Sequence, residues 1–310
     1  MNILLDYFFK ITSIEPTAAA STAFLKQAAI VVKPNGGGTA GNITLCTSSS
    51  AIEAITDNED AVELLNAGMS KIYVIQSATL DIETVINANA SLFYTLLISS
   101  DFVDADITDD LEVGTYKGVI GVSSTSKTFL DGQAATELRS PWFTKSANGA
   151  KNMAFAFGKL LSNAGNWANQ QYVTMPYGDD VNTLGDADDL FDRRISFVIE
   201  DSQYGKRLGF FVVGGKAIIS PYIEKNLKVD MQSSALTYIS ANQPQTTPKH
   251  ASLIEDELEE VIELYKTRGW IEEGTVAITV EDSNFVAAGA INISEPSAFW
   301  KINAQLLKTL

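Results

Sequence analysis

Both ends of the chain alternate between apolar and polar residues. Near the C-terminus the apolar positions of this alternation include Trp300, Ile302 and Leu306, with Phe299 on the opposite side. A period of two residues is typical of a β-strand. The N-terminal segment has the same period, with apolar residues at Ile3, Leu5, Tyr7 and Phe9. Because chain ends fray unless something holds them, the pattern predicts that both terminal strands join a sheet, either in the same chain or in a neighbouring one.

Between the ends, short apolar runs alternate with amphipathic segments as far as residue 190. The runs and segments predict strands at 28–32, 42–48, 71–77, 91–102 and 116–124, and helices at 49–67, 81–90, 131–139 and 150–162. This order favours an α/β layer with a mixed, partly parallel sheet. The polar, acidic tract 177–194 is interpreted as a surface loop.

The last third of the chain contains the strongest helix pattern. Thr247 is a candidate cap, Pro248 follows at the first helical position, and Gly269 ends the segment. The apolar stripe of this helix, predicted at 249–267, is Leu253, Ile254, Leu258, Val261, Ile262 and Tyr265. The preceding stretch 217–229 is interpreted as extended, and strands are predicted at 274–283 and 285–294. This region is therefore of the α+β type.

Composition narrows the function classes. The 310 residues include 38 acids against 22 bases, so the net charge is -16, which argues against a nucleic-acid-binding surface. Cys46 and His250 are the single cysteine and histidine. These counts exclude an intrachain disulfide and a histidine-rich metal site. The apolar N-terminus carries Asp6 and Lys10 and does not resemble a signal peptide, so we expect maturation in a cytosol and no insertion into a membrane.

Candidate chemistry is weak along the whole chain. The glycine-rich segment 36–41 lacks the GK[ST] ending of a phosphate loop and is interpreted as a flexible turn. The acidic segment 186–192 lacks the glycine and the closing glutamate of a calcium loop. We predict no catalytic residue, cofactor or metal. The alternative is an α/β enzyme with a pocket near Ser77, Ser99–Asp101 and Ser123–Ser124, where predicted strands end.

Acidic residues crowd the predicted helix 249–267. Those that we single out lie off its apolar stripe: Glu255, Glu259, Glu260 and Glu263. Such a face is either simply solvated or complementary to a positively charged partner. The sequence leaves both interpretations open.

Three stretches together resemble a contractile bacteriophage tail sheath protein in a short, minimal form. They are RLGFFVVGGKAIISPYIEKNLKVDMQSSALTYISANQ, the acidic helix followed by RGWIEEGTVAITV, and the terminal NISEPSAFWKINAQLL. Their order is similar to that of the tube-proximal domain of sheath proteins. Over the first 190 residues only the α/β rhythm and the N-terminal strand agree. The chain is short for a sheath, so the resemblance implies a minimal form without large outer domains.

The resemblance implies a structural, non-enzymatic role in a virion. Sheath subunits stack as hexameric rings around a tail tube, then contract to drive the tube through the host cell envelope for genome ejection. The implied partners are further copies of the chain, the tube protein, and the baseplate and tail terminator proteins, without direct contact with nucleic acid. Assembly in the cytoplasm of a host bacterium is implied as well. The alternative within this class is a tube or baseplate component.

The resemblance also assigns regions. It implies an N-terminal arm at 1–20, an α/β sheath domain at 21–190, a tube-proximal α+β domain at 191–285 and a C-terminal arm at 286–310. The arms are expected to exchange strands between subunits, with hinges near 17–20 and 289–296. The residues expected to act in the arms are Ile3, Leu5, Tyr7, Phe9, Phe299, Trp300, Ile302 and Leu306, and the acids of the long helix are expected to face the tube.

Overall fold

The chain divides into two compact units in a computed structural model. The structure describes residues 22–36, 38–89, 91–107, 118–162, 173–202, 205–281 and 284–293. Within these ranges the first unit runs from Phe24 to Ile219, and the second comprises Thr22, Ala23 and the stretch from Ser220 to Ile293. The division into two arms and two domains predicted from the sequence stays a prediction.

The first unit is built on a six-stranded mixed sheet. Its strands are β1 (Ala28–Val32), β2 (Ile43–Cys46), β3 (Ile72–Gln76), β4 (Thr95–Ile98), β5 (Val119–Ser124) and β6 (Arg139–Phe143). They lie in the order β2-β3-β1-β4-β5-β6. β2 pairs antiparallel with β3, and the other neighbours are parallel. The structure thus confirms the predicted α/β layer with a mixed sheet.

Helices cover this sheet. They are α1 (Ser49–Glu53), α2 (Asp60–Asn66), α3 (Glu83–Asn89), α4 (Lys127–Ala134) and α5 (Lys151–Ser162), with 3-10 turns at Thr22–Lys26 and Asp104–Asp106. A further helix, α6 (Leu184–Asp192), contributes Leu190 to a separate apolar cluster. Every residue of β1 and β4 is buried, as the continuous apolar runs of a doubly covered parallel sheet require. α5 lies close against β5, since a Cβ added to Gly121 would fall 2.9 Å from the sulfur of Met153.

The rest of the first unit covers the free edge of β6. It contains β7 (Phe197–Asp201), paired antiparallel with β8 (Gly205–Phe210), and a small ribbon of β9 (Val212–Val213) and β10 (Lys216–Ala217). Phe143 N donates to Ser196 O at 2.9 Å, and Ser196 N donates to Pro141 O at 2.8 Å. A second apolar cluster, which includes Leu130, Leu190 and Phe210, lies under these strands.

The second unit consists of two long helices and a hairpin. α7 (Ile219–Asn242) begins at the last residue of the first unit, and α8 (Pro248–Thr267), β11 (Ile271–Glu281) and β12 (Asn284–Ile293) follow. Thr247 caps α8, accepting a hydrogen bond from His250 N through its hydroxyl. The predicted long helix, its cap and the two strands after it are confirmed.

Two segments that we predicted to lack helix are helical. The stretch 217–229, interpreted as extended, lies largely in α7. Its proline, Pro221, falls in the first turn, where the missing N–H is tolerated, and the polar Asn226 interrupts the apolar stripe and hides its helical period. The tract 177–194, interpreted as a loop, contains α6, which Thr183 caps by accepting from Asp186 N at 3.2 Å.

Two other boundaries were wrong. The helix predicted at 49–67 is α1 and α2, separated at Thr56, whose hydroxyl donates to Lys33 O at 2.8 Å. The helix predicted at 131–139 is α4, which begins earlier because Ser126 caps it. The strand that follows, β6, was missed because it contains Pro141, and proline argues against a central strand. β6 tolerates it because β6 is the last strand of its sheet.

The predicted hinge at 289–296 is wrong for its first five residues. Residues Gly289 to Ile293 belong to β12 and pair with β11, Gly289 opposite Val276. The remaining residues 294–296, and the other predicted hinge at 17–20, lie outside the described residues. The first eight residues of the predicted C-terminal arm, 286–293, thus lie in this hairpin.

None of the helices within the described ranges combines the length and the apolar character that a membrane span requires.

Candidate assembly surface on the second unit

The surface of interest is supported by the packing of α8 on the hairpin β11–β12. α8 buries a single stripe: Ala251, Ile254, Leu258, Ile262 and Tyr265. The hairpin buries Val276 and Ile278 of β11 and Phe285 and Ala287 of β12. In β11 the buried residues alternate with the exposed Thr275, Ala277 and Thr279, so one side of this strand lies in the core and the other faces outward.

Glu255 ties the helix to the hairpin. Its carboxylate Oε2 accepts a hydrogen bond from Ile278 N at 2.8 Å. Ile278 lies opposite Ala287 in the antiparallel register. In an antiparallel pair, a backbone N–H that does not donate to the partner strand points away from that strand. The Ile278 N–H donates to Glu255 instead, so this bond lies on the edge of β11 that faces away from β12. Among the described residues the two strands otherwise form a sheet of their own.

The other predicted tube-facing acids extend into solvent. Glu259, Glu260 and Glu263 are exposed, whereas Glu255 is half-buried. Lys266 Nζ donates to Glu263 Oε1 at 2.5 Å, an exposed pair one turn apart. Exposed pairs of this kind contribute little stability. The structure therefore separates one acid that is bonded to the hairpin from three exposed acids, of which Glu263 pairs with Lys266.

Leu253 was wrongly assigned to the buried stripe of the helix. Its side chain is 39% exposed, and Leu264 is 45% exposed. Leu253 precedes the buried Ile254 by one residue, and one residue along a helix turns the side chain by about 100°. The sequence pattern admitted Leu253 because it is apolar, although its position is off the stripe.

A buried polar cluster joins α7 to α8, and sequence reasoning missed it. Tyr265 Oη donates to Asp230 Oδ2 at 2.7 Å, and Asn226 Nδ2 donates to Tyr265 Oη. Burial, followed by the Asp230 hydrogen bond, raises the pKa of Tyr265, so the phenol stays a neutral donor. The Arg268 guanidinium lies 4.9 Å from the ring centroid of Trp270, which packs edge-on against Tyr265. The two helices are therefore fixed to each other beneath the assembly surface.

The predicted arm residues lie outside the described residues. They are Ile3, Leu5, Tyr7, Phe9, Phe299, Trp300, Ile302 and Leu306. The role that we expect for them stays a prediction.

The sites considered for an enzyme are held in turns and caps. Asp101 Oδ2 accepts from Lys33 N at 2.7 Å, and Ser124 Oγ donates to Asp104 Oδ2 at 2.8 Å. Ser100 donates to the buried Asp60 through both its N–H and its hydroxyl, at 2.7 and 2.6 Å. Burial raises the pKa of Asp60. These bonds shape the loops at the carboxyl edge of the sheet.

The remaining candidate residues also have structural environments. His250 lies in the first turn of α8, with Nδ1 2.9 Å from Gln245 O. Cys46 is buried in β2, and burial raises the pKa of its thiol. Of the segment compared with a calcium loop, Asp189 contacts Lys127 and Arg193 at 2.6 and 2.7 Å. In the part of the chain that the structure describes, no group of three or more histidine, cysteine, aspartate or glutamate side chains is arranged to hold a metal ion.

Comparison with known proteins gives matches among solved structures. No protein-family model and no curated protein matches the chain. A chain of the anti-feeding prophage (AFP) baseplate, determined by cryo-EM with six-fold symmetry, matches at 12% identity and a TM-score of 0.65, covering 92% of this chain and 95% of that one. A chain of the AFP helical sheath in its contracted state matches at 12% identity and a TM-score of 0.65, covering 92% and 96%. At this identity the likeness shows a shared fold over nearly the whole of each chain.

Proposed function

We propose that this chain is a structural subunit of a contractile injection machine and that it forms the sheath. Copies would stack as hexameric rings around a tail tube and contract to drive the tube through a host cell envelope. The observation that carries the proposal is the fold shared with a contracted sheath over 92% of this chain. In a phage the protein would then belong to the virion, after assembly in the cytoplasm of the host.

The terminal arms would connect the subunits. A strand from a neighbouring copy can add to a free sheet edge through backbone hydrogen bonds. Because Glu255 occupies Ile278 N on the outer edge of β11, the outer edge of β12 is the better acceptor. Backbone pairing would hold two subunits together through a short strand without fixing the angle between them during ring compaction.

The acidic face of α8 would meet the tube. Six carboxylates and two lysines lie in its 20 residues. Glu259, Glu260 and Glu263 are exposed. Complementary charge on the tube would guide assembly and fix the register of each ring. The sheath would need no catalytic residue or cofactor, since contraction releases energy stored in the assembly itself.

A baseplate component is the second candidate. It is favoured by the match to the AFP baseplate chain, whose TM-score of 0.65 equals that of the contracted sheath. Electron microscopy of the purified protein separates the candidates. A sheath subunit forms broad striated sleeves, a tube protein forms thin smooth rods, and a baseplate component forms neither.

The tube-facing role of α8 is tested by charge reversal. The triple variant Glu259→Lys, Glu260→Lys, Glu263→Lys should raise the protein concentration needed to form sleeves on co-expressed tubes by about tenfold or more, since each exposed charge pair contributes up to about 1 kcal/mol. The matched control reverses three exposed acids of the first unit, Glu53, Asp81 and Glu137. Normal sleeves from the α8 variant at both low and high salt would contradict the role.

A further inference from the structure

The outermost line of α8 carries two leucines. Taking about 100° per residue, the line opposite the buried stripe runs through Lys249, Leu253, Asp256, Glu260, Leu264 and Thr267, and all six are exposed. The two leucines are eleven residues apart, or about 16 Å along the helix axis at about 1.5 Å per residue. The two acids lie between them.

This placement is unusual for the molecule. The described residues contain four exposed large apolar side chains, and two of them lie on this one line. Single exposed leucines are ordinary on protein surfaces. Two leucines in line on an otherwise charged helix face, directly opposite its core stripe, form a mixed surface that a partner can cover.

The charges between the leucines determine which partner fits. Two copies of this face brought together would place like carboxylates opposite each other, and the whole chain already carries a net charge of -16. A positively charged surface would instead pair with Asp256 and Glu260 while its apolar groups cover the leucines. The occupant is therefore a different protein with a basic surface.

We propose that α8 docks on a basic protein surface that presents two apolar contact points about 16 Å apart, one for Leu253 and one for Leu264, with positive charge between them. This inference rests on the proposed function, in which α8 meets the tube, and adds the chemistry of that contact. The leucines provide affinity that salt does not screen, and the acids provide orientation.

The test uses the full chain and two synthetic helical peptides as probes. Both peptides carry the same central lysines; one has leucines eleven residues apart, and the other has glutamines at those positions. Binding is measured by fluorescence anisotropy at low and high salt. The variants are Leu253→Asn and Leu264→Asn, and the matched control is Leu45→Asn in β2, where the leucine is 49% exposed. Circular dichroism confirms that each variant is folded.

The proposal predicts that the leucine peptide binds about tenfold more tightly than the glutamine peptide, which corresponds to about 1.4 kcal/mol from the two leucines together. Each α8 substitution should remove most of that ratio, and the Leu45 control should retain it. Equal affinity for both peptides, loss of all binding at high salt, no binding at all, or an equal effect of the control would overturn it. Because sleeve formation is scored separately by microscopy, these outcomes leave the sheath proposal to its own test.

Discussion

The hydrogen bond between Glu255 and Ile278 N makes the stability of the hairpin depend on one residue of the acidic face. The change to test is Glu255→Ala, with Glu259→Ala as its matched control. Both substitutions remove one carboxylate from the same helix, and both introduce alanine, the best helix former. The difference between them therefore isolates the bond to β11.

The structure sets the size of this effect. The bond is 2.8 Å long, its acceptor is charged, and Glu255 is half-buried. Hydrogen bonds to charged groups contribute about 1.5–3 kcal/mol and ordinary ones about 0.5–1.5 kcal/mol; because Glu255 is partly exposed, we expect an intermediate contribution of about 1–2 kcal/mol. Glu255→Gln keeps an acceptor oxygen and should lose about half as much. Glu259→Ala should stay within about 0.5 kcal/mol of the wild type.

Native-state hydrogen exchange is the suitable assay, because a chain of two units need not unfold in one step. The Ile278 amide should exchange about 5–30-fold faster in Glu255→Ala, which is the factor that corresponds to a loss of 1–2 kcal/mol. Amides of β4 in the first unit serve as an internal reference. Equal exchange of Ile278 in Glu255→Ala and Glu259→Ala would refute the role of Glu255.

Two further predictions concern the first unit. Burial raises the pKa of Asp60, so the folded chain binds the proton of this carboxyl more tightly than the unfolded chain does. The stability that protonated Asp60 contributes is therefore fully present below the unfolded pKa of about 4. This stability is lost as pH rises through the folded pKa. Urea unfolding should show the wild type losing stability relative to Asp60→Asn as pH rises from about 4, and a relative gain would contradict the assignment. A Cβ on Gly158 would lie 2.5 Å from that of Ala67, so Gly158→Val should destabilise by about 1–3 kcal/mol in a denaturant melt. As the control, Gly132→Ala adds its Cβ to open space in α4 and should stabilise the fold by up to about 1 kcal/mol. Equal effects of Gly158→Val and Gly132→Ala on stability would contradict the close packing of α5.

The sequence predicted the elements whose local signals agree with each other. α8 has a threonine cap, a proline at its first position and a clean apolar stripe, and it was predicted nearly to the residue. The parallel strands β1 and β4 were recognised as apolar runs that are buried on both sides. In each case one local pattern determines both the element and its burial.

Elements defined by tertiary contacts were missed. α7 buries Asn226 in its core, because the Asn226 amide donates to Tyr265 from α8. β6 accommodates Pro141 because β6 is the last strand of its sheet, and Ser196 from a later segment donates to the Pro141 carbonyl on that side. A polar residue in an apolar stripe and a proline in a strand are unfavourable locally, and only distant partners stabilise them.

The candidate surface was predicted in part. The position of the four glutamates outside the stripe of α8 was evident from helical spacing. The bond that distinguishes Glu255 from the others was not, since it depends on the hairpin folding against that side of the helix. Likewise Leu253 was assigned to the core. Leu253 and Ile254 are adjacent apolar residues, and the sequence does not show which of them faces the hairpin.

The most direct test of the account compares the purified full-length chain with a version that ends at Ser294, by electron microscopy at high protein concentration. The truncation keeps β12 whole, since that strand ends at Ile293, and removes only the proposed arm. The account predicts sleeves from the full chain and folded monomers from the truncated one. Sleeves from both would contradict strand donation by the C-terminal arm, and sleeves from neither would contradict the sheath itself.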